Sequence, residues 1–327
     1  MKTKNKKFKS KNNNLKRYIK NLKKTTVKCP KINKKKCFNV SSKSKQKIDI
    51  CEKYVYKTPM KNENKLVIKT INDNIIQINS NTMNLLIQSL IKLLVKNKKI
   101  NKNIEHYNKI CNIKNNYSLQ SKKKIWSGFN TIEDYMLNCK NINLKLIEKW
   151  VKQIFKILDE LYDTIQFHHC DPKASQILLN SNGDAVLSDF DKVTFTLNIN
   201  NIPKRIILYS YFRNQITNLN FNPALSMRFE LNPRNSNDFE KACFLSSIIL
   251  LSPSELIDNK LRKLSKKLLK YNIYMINPKS AYQFKSNNSL TAAARYVTIK
   301  SQNKVAYSTN LKSKVNINEK NELEIIE

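Results

Sequence analysis

The sequence predicts a mixed α+β fold in two lobes, with a small β-rich N-terminal lobe up to about residue 125 and a mainly helical C-terminal lobe. Two short apolar runs, 54–57 and 66–69, flank a polar turn and predict strands. After residue 143, apolar residues recur at intervals of three and four, which is the spacing of a buried helix face. A chain of 327 residues is also long enough to bury a substantial core.

Three segments predict helices from their apolar spacing. The first follows Thr82, a possible cap residue, and the longest covers 143–167. The third covers 238–251 and ends before Pro253, because the residue preceding a proline disfavours helical backbone. The apolar stripe of the longest helix comprises Leu144, Ile147, Val151, Ile154, Leu158 and Leu161.

The chain is strongly basic, with 61 Lys and Arg against 24 Asp and Glu and a net charge of +37. Residues 1–47 carry no carboxylate and predict a disordered basic arm, either a polyanion- or nucleic-acid-binding arm or a nuclear localisation signal. A solvated tail is the alternative, since heavy use of Lys, Asn and Ile is typical of an AT-rich genome, such as that of a large DNA virus or an AT-rich protist. Only two glycines occur, which excludes a Walker A loop and a Rossmann fingerprint.

The cysteines and the apolar runs predict in which cellular compartment the protein is found. The seven cysteines form no CxxC pair, and the three histidines leave no spacing typical of a zinc site. An odd count without a signal peptide predicts free thiols in an intracellular protein, cytoplasmic or nuclear. The longest mainly apolar stretch, 244–251, is far shorter than a membrane span, so we expect no transmembrane segment.

The chemistry-bearing residues flank a predicted β-hairpin. Residues 177–187 contain two apolar runs around an Asn-Gly pair, which is the pattern of a tight hairpin. Phosphoryl transfer requires a carboxylate for the acceptor hydroxyl, a cation near the transferred group and a carboxylate that holds magnesium. Asp171, Lys173 and Asp189 supply these three parts on either side of one rigid hairpin.

The segment HCDPKASQ, residues 169–176, resembles the catalytic loop HxDxKxxN of the protein-kinase-like superfamily, and DFD, residues 189–191, resembles its metal motif DFG. Asp189 follows Asp171 by 18 residues, the usual spacing of the family. The resemblance implies a divergent serine/threonine protein kinase that uses ATP with Mg²⁺ or Mn²⁺ and acts on a protein substrate. It implies Asp171 as the base, Lys173 as the cation that stabilises the phosphoryl group, Asp189 as the metal ligand and Gln176 as an auxiliary metal ligand.

The resemblance continues more faintly over residues 48–255. It places Lys69 where the family has the lysine that holds the nucleotide phosphates, and Glu133 in the nucleotide-binding segment after the interlobe hinge. It gives His169 and Asp238 structural support of the catalytic loop, Asp238 as a buried aspartate on a core helix. The implied organisation is an arm over 1–47, a kinase-like domain over 48–285 with lobes 48–125 and 126–285, and a basic extension over 286–327.

The sequence departs from the family pattern at several positions. Residues 46–54 contain no glycine where a phosphate-covering loop is expected, and Gln88 stands where the glutamate partner of the lysine is expected. Asp191 replaces the glycine of DFG, and Cys170 replaces an arginine. Two other hypotheses on the same fold therefore stay open, a pseudokinase that binds without transferring phosphate and a small-molecule or sugar kinase. A basic nucleic-acid-binding protein is a third, although no binding motif accompanies the charge.

Overall fold

The structure is a computed structural model that describes residues 13–24, 27–29, 37–40, 46–59, 66–72, 75–113, 116–208, 238–269, 273–275, 297–299 and 315–326. Within these ranges the fold is mixed α+β, with six helices and fifteen strands in four sheets. The buried apolar side chains form a continuous cluster that includes Leu15 near the N-terminus and Ile317 near the C-terminus. None of the helices in these ranges is long and apolar enough to cross a membrane.

The first large sheet contains β1 (Cys37–Val40), β2 (Gln46–Cys51), β3 (Tyr54–Pro59), β6 (Lys109–Ile113) and β7 (Asn116–Lys122). Its order is β1-β2-β3-β7-β6, and every neighbouring pair is antiparallel. Strand β3 confirms the strand predicted over 54–57. It is the central strand of this sheet, with two strands on either side of it.

The second large sheet contains β4 (Ile68–Asn72), β5 (Ile75–Ile78), β10 (Phe195–Ile199), β11 (Ile202–Leu208), β14 (Val315–Ile317) and β15 (Leu323–Ile325). Its order is β15-β14-β10-β11-β5-β4, with parallel pairs at β10–β14 and β11–β5. The two apolar runs predicted as strands near residues 54 and 66 therefore lie in different sheets. The segment after Asp189, which the sequence predicts to be loop-like as far as about residue 236, instead forms β10 and β11; residues 209–237 lie outside the described ranges.

The helices are α1 (Asn13–Lys23), α2 (Ser80–Lys96), α3 (Ile132–Asn138), α4 (Leu144–Ile165), α5 (Asp238–Leu250) and α6 (Glu255–Leu268). Helices α2, α4 and α5 confirm the three helices predicted from apolar spacing. Helix α4 begins at a good cap, because the side-chain oxygen of Asn143 accepts hydrogen bonds from the backbone N–H groups of Lys145 and Leu146. It ends at Gln166, which adopts a left-handed conformation with φ 47°. Two hairpins complete the fold, β8 (Ile177–Leu179) with β9 (Ala185–Leu187) and β12 (Ile273–Met275) with β13 (Val297–Ile299).

Helix α1 corrects the prediction of a disordered arm for residues 13–23. Leu15 and Ile19 are fully buried, Tyr18 is 8% exposed, and Leu22 packs against the same core. These four residues follow the spacing of one helix face, although lysine and asparagine dominate the segment around them. The apolar face of α1 is therefore part of the core.

Replacing Ile19 with alanine is expected to lower the free energy of unfolding by about 2–5 kcal/mol, because a buried side chain would leave a cavity. Denaturation in urea measures the change. Lys16→Ala, at an exposed position of the same helix, is the matched control and should stay within about 0.5 kcal/mol of the parent. Equal stability of both variants would show that α1 does not contribute to the folded core.

Four cysteines are paired rather than free. Cys37 and Cys51 face each other across β1 and β2, and their Cα atoms lie 4.2 Å apart. Cys29 is bonded to Cys111 on β6, with a Cα–Cα distance of 4.8 Å. The predicted free thiols are therefore wrong for these four residues, because long-range strand pairing that the spacing did not reveal brings them together. Cys139 has a free thiol, Cys170 is buried, and the side chain of Cys243 lies outside the described residues.

Candidate active site

The hairpin β8–β9 is anchored on helix α4. The indole N–H of Trp150 donates to the carbonyl oxygen of Gly183 at 2.9 Å, and the side-chain oxygen of Gln153 accepts from the N–H of Ala185 at 3.0 Å. Gly183 has φ 69°, and a Cβ atom at this position would lie 2.8 Å from the ring nitrogen of Trp126. The turn therefore requires glycine. This anchoring confirms the predicted hairpin and fixes the two segments that enter and leave it.

Asp171 and Asp189, which flank the hairpin, meet at the side chain of Gln176. Nε2 of Gln176 donates to Oδ2 of Asp171 at 3.0 Å and to Oδ2 of Asp189 at 2.9 Å. Ionised carboxylates only accept hydrogen bonds, so the NH₂ end of the amide must face them. Its Oε1 atom is buried and has no hydrogen-bond partner among the described residues. The oxygen that the sequence assigned to metal binding therefore points away from Oδ2 of Asp189.

Two lysines hold the carboxylate of Asp171. Nζ of Lys192 lies 2.6 Å from Oδ2, and Nζ of Lys173 lies 3.2 Å from the same oxygen. Burial alone would raise the pKa of Asp171, but Lys192 and Lys173 outweigh burial and lower this pKa below its ordinary value. Lys173 was predicted at this site, whereas no sequence pattern singled out Lys192. Asp171 is therefore an ionised acceptor between fixed positive charges.

Lys57 lies beside the carboxylates of this site, whereas Lys69, the lysine predicted from the sequence, lies on a different sheet. Lys69 is exposed on β4 of the second large sheet. Lys57 lies on the central strand β3, and its Nζ is 3.3 Å from Oε2 of Glu105. Burial would lower the pKa of Lys57, but Glu105, Asp189 and Asp191 together raise it. The ammonium group of Lys57 is therefore within electrostatic reach of the carboxylates that follow the hairpin.

Glu105 is fixed to the hairpin by its backbone. Its N–H donates to the carbonyl oxygen of Leu187 at 2.8 Å, and Ile104 forms an isolated β-bridge with Leu187, two residues before Asp189. The hydroxyl of Ser121 donates to Oε1 of Glu105 at 3.2 Å, while Oε2 faces Lys57. Gln88, which stands where the sequence suggested a lysine partner, instead donates to Asn84 within helix α2. The partner of the lysine is therefore held by strand β9, which ends two residues before Asp189.

The loop before Asp171 is supported by His169 and by a carboxylate of helix α5. Nε2 of the buried His169 lies 2.8 Å from the carbonyl oxygen of Ser188 and donates to it, and burial lowers the pKa of this histidine. Glu240 accepts hydrogen bonds from the backbone N–H of His169 at 2.9 Å and of Cys170 at 3.2 Å. The sequence assigned this brace to Asp238, two residues earlier on the helix, whose side chain lies outside the described residues.

Two residues of the site hold a left-handed backbone without being glycine. Cys170 has φ 64°, and Asp189 has φ 65°. This conformation is uncommon for side chains other than Asn, Asp and Gly, and it persists where the surroundings enforce it. The bonds from Glu240 to the Cys170 N–H and from Gln176 to Asp189 supply that enforcement. The placement of Asp171, which follows Cys170, and of Asp189 therefore depends on specific polar contacts.

Glu133 and Asp191 complete the set of charged groups. Glu133, in the first turn of α3, is half-buried; burial raises its pKa and the charge of Lys173 opposes that rise. Burial and the neighbouring charge of Asp189 raise the pKa of Asp191 to about 6, against the attraction of Lys192. Oδ1 of Asp191 is buried and has no hydrogen-bond partner among the described residues.

The residues present fit a magnesium ion that is shared with phosphates. No three or more His, Cys, Asp or Glu side chains of the described ranges form a metal cage. Magnesium usually takes one or two protein carboxylates and completes its octahedron with phosphate oxygens and water. Asp189 provides such a carboxylate. Two buried oxygens near it have no hydrogen-bond partner among the described residues: Oδ1 of Asp191, two residues later in the chain, and Oε1 of Gln176, whose NH₂ group donates to Asp189.

No protein-family model matches the chain, and no curated protein matches its sequence. Function is therefore inferred from the residues of the site, because a fold by itself does not assign an activity.

Proposed function

We propose that the chain is an ATP- and magnesium-dependent phosphotransferase with a two-lobed protein-kinase-like fold, a divergent serine/threonine protein kinase that transfers the γ-phosphate to a hydroxyl group. The observation that carries the proposal is the convergence of Asp171, Asp189 and Lys57 from three separate segments on one charged cluster. Asp171 and Lys57 are ion-paired here, but burying such pairs costs desolvation free energy that apolar residues of similar volume do not, so packing alone gives no reason for this convergence. Such clusters of interacting titratable groups are typical of functional sites.

The role of Asp171 follows from its charge and its neighbours. Its lowered pKa keeps it ionised at neutral pH, so it is ready to accept the hydrogen bond and then the proton of the acceptor hydroxyl. Because such a carboxylate is a weak base, its main role is to orient the hydroxyl, and it accepts the proton late in the reaction. Lys173 lies beside it and would offset the negative charge of the transferring phosphoryl group.

The nucleotide phosphates are assigned to Lys57. Protein kinases carry this lysine on the third strand and pair it with a glutamate. Lys57 lies on β3 and pairs with Glu105, which supports the assignment, although here the glutamate precedes β6 and does not belong to a helix. Asp189 would hold the metal, and a bound magnesium would neutralise charge that develops on the phosphate oxygens.

The test is turnover of γ-labelled ATP with generic protein substrates in the presence of Mg²⁺ or Mn²⁺. Asp171→Asn is expected to reduce turnover by about 10²–10⁴-fold, because an amide cannot accept the proton. Asp163→Asn, at an exposed position at the end of α4, is the matched control and should retain the parent rate. Equal turnover of the parent and the Asp171→Asn protein would contradict the proposal.

A pseudokinase is the second candidate, and one contact favours it. Oδ2 of Asp171 accepts hydrogen bonds from Lys173, Lys192 and Gln176, so three donors already occupy one oxygen of the proposed base. If the folded parent binds ATP with magnesium but transfers no phosphate to protein, sugar or small-molecule acceptors, the site serves binding alone.

A further inference from the structure

The residues after β9 place one carboxylate on each side of a buried phenylalanine in the sequence. Phe190 is fully buried and lies against the rings of Phe167 and His169, with ring-centroid distances of 6.2 Å and 5.8 Å. Its position in the core fixes the backbone between Asp189 and Asp191. Both of these carboxylates interact electrostatically with the ammonium group of Lys57. They therefore share one region of the site, at the end of the hairpin.

Two oxygen atoms in this region are buried without a donor. Oδ1 of Asp191 and Oε1 of Gln176 have no hydrogen-bond partner among the described residues, and the whole side chain of Gln176 is only 6% exposed. A buried oxygen without a partner costs free energy, so each such atom in a native fold calls for an explanation. A cation is the partner that satisfies a carboxylate oxygen when no N–H or O–H group is near.

We propose that Asp191 is a second protein ligand of the divalent cation, together with Asp189, and that Gln176 is a positioning residue rather than a metal ligand. This inference rests on the proposed function. Gln176 already uses its NH₂ group to hold Asp171 and Asp189 together, and that bond turns its oxygen away from the Oδ2 atom of Asp189. Asp191 supplies a negative charge that a neutral amide lacks, and it stands where DFG has a glycine with no side chain.

The charges around the pair agree with this assignment. Asp189 and Asp191 repel each other, and Lys57 and Lys192 are the cations that oppose this repulsion in the absence of metal. A divalent cation between the two carboxylates would replace that compensation and leave Lys57 available for phosphate. Two carboxylates are within the number that magnesium accepts from a protein, and phosphates and water complete its coordination.

The experiment is titration of the full chain with Mn²⁺, followed by electron paramagnetic resonance, without nucleotide and with a non-hydrolysable ATP analogue. Asp191→Asn is expected to weaken Mn²⁺ binding by about tenfold or more, and Asp189→Asn by at least as much. Gln176→Leu, which keeps the volume and removes the amide, should weaken Mn²⁺ binding by about tenfold, because it removes the side chain that positions Asp189. Asp163→Asn is the control for loss of a carboxylate elsewhere.

Three results would overturn the inference. If Gln176→Leu loses Mn²⁺ and Asp191→Asn does not, the amide oxygen is the ligand. If Asp189→Asn abolishes binding while both Asp191→Asn and Asp191→Ser bind like the parent, the metal site exists without Asp191 and the proposed function is untouched. A folded parent that binds neither Mn²⁺ nor the nucleotide analogue would overturn the proposed function and this inference together. Thermal melting of each variant establishes that it is folded, and the serine variant serves if the asparagine variant is not.

Discussion

Replacing Lys57 with methionine is expected to reduce kcat/KM for phosphate transfer from ATP by about 10²–10³-fold, because the change removes the fixed charge that we assign to the nucleotide phosphates. Lys69→Met is expected to leave kcat/KM unchanged, since Lys69 is exposed on a different sheet. The measurements are the rate of phosphate transfer from γ-labelled ATP and the Kd of ATP by calorimetric titration. Methionine keeps the unbranched stem of lysine, so the packing of β3 is disturbed little.

The Glu105→Gln variant tests how much the placement of the Lys57 ammonium group contributes, apart from its charge. Lys57 stays positive in this variant but loses the carboxylate that fixes its ammonium group, so a smaller loss in kcat/KM than for Lys57→Met is expected. The hydrogen bond from the Glu105 backbone to Leu187 does not depend on the side chain, which keeps the hairpin contact intact. Loss of ATP binding in Lys69→Met with normal binding in Lys57→Met would reverse the assignment of the two lysines.

There is a physical reason why the sequence pattern pointed to Lys69 rather than to Lys57. Val55-Tyr56-Lys57 and Val67-Ile68-Lys69 carry the same local pattern, an apolar pair followed by lysine on a strand. Local pattern sets the strand, whereas partners that are distant in sequence set the sheet to which it belongs. The first strand pairs with β2 and β7, and the second pairs with β5. Only that pairing decides which ammonium group faces Asp189.

The residues found from sequence lie close together in the chain. Asp171, Lys173, Gln176 and Asp189 flank one hairpin, and the Asn-Gly turn and the spacing of the apolar runs fix how the chain returns. Glu105 could not be found in this way, because it reaches Lys57 only through the bridge between Ile104 and Leu187. Long-range contacts of this kind leave no periodic signal in the sequence.

Helix α1 illustrates a signal that was present but concealed by composition. Leu15, Tyr18, Ile19 and Leu22 have the spacing of a helix face, but the lysine and asparagine residues around them give the segment the composition of a disordered tail. Burial of the apolar face against the core outweighs that composition.

The choice between Asp238 and Glu240 is a different kind of problem. Side chains two residues apart on a helix point in directions that differ by about 200°. The packing of α5 brings Glu240 to the loop.

The stability contributed by Glu240 is expected to fall as pH rises from about 4.5 to about 7. Burial raises the pKa of this carboxyl from 4.5 to about 7, while the N–H groups of Cys170 and His169 oppose that rise. Between these two values the folded protein holds a proton that the unfolded chain has released, so each increase in pH favours unfolding. The titration of Glu240 lowers the free energy of unfolding by about 3 kcal/mol in full. The measurement is the free energy of unfolding in urea at several pH values between 5 and 8, for the parent and for Glu240→Gln.

Glu240→Gln keeps an oxygen that accepts from the two backbone N–H groups and removes the titration, so its stability relative to the parent should increase with pH over this range. The comparison cancels the titration of other buried groups, including His169, whose lowered pKa acts in the opposite direction. Glu255→Gln, at an exposed position in α6, is the control and should follow the parent at every pH. Glu240→Ala leaves both N–H groups without an acceptor and should cost about 1–3 kcal/mol for each of them. A constant difference between the parent and Glu240→Gln from pH 5 to 8 would mean that Glu240 is ionised throughout this range, and that its bonds to the loop before Asp171 are those of a permanent carboxylate.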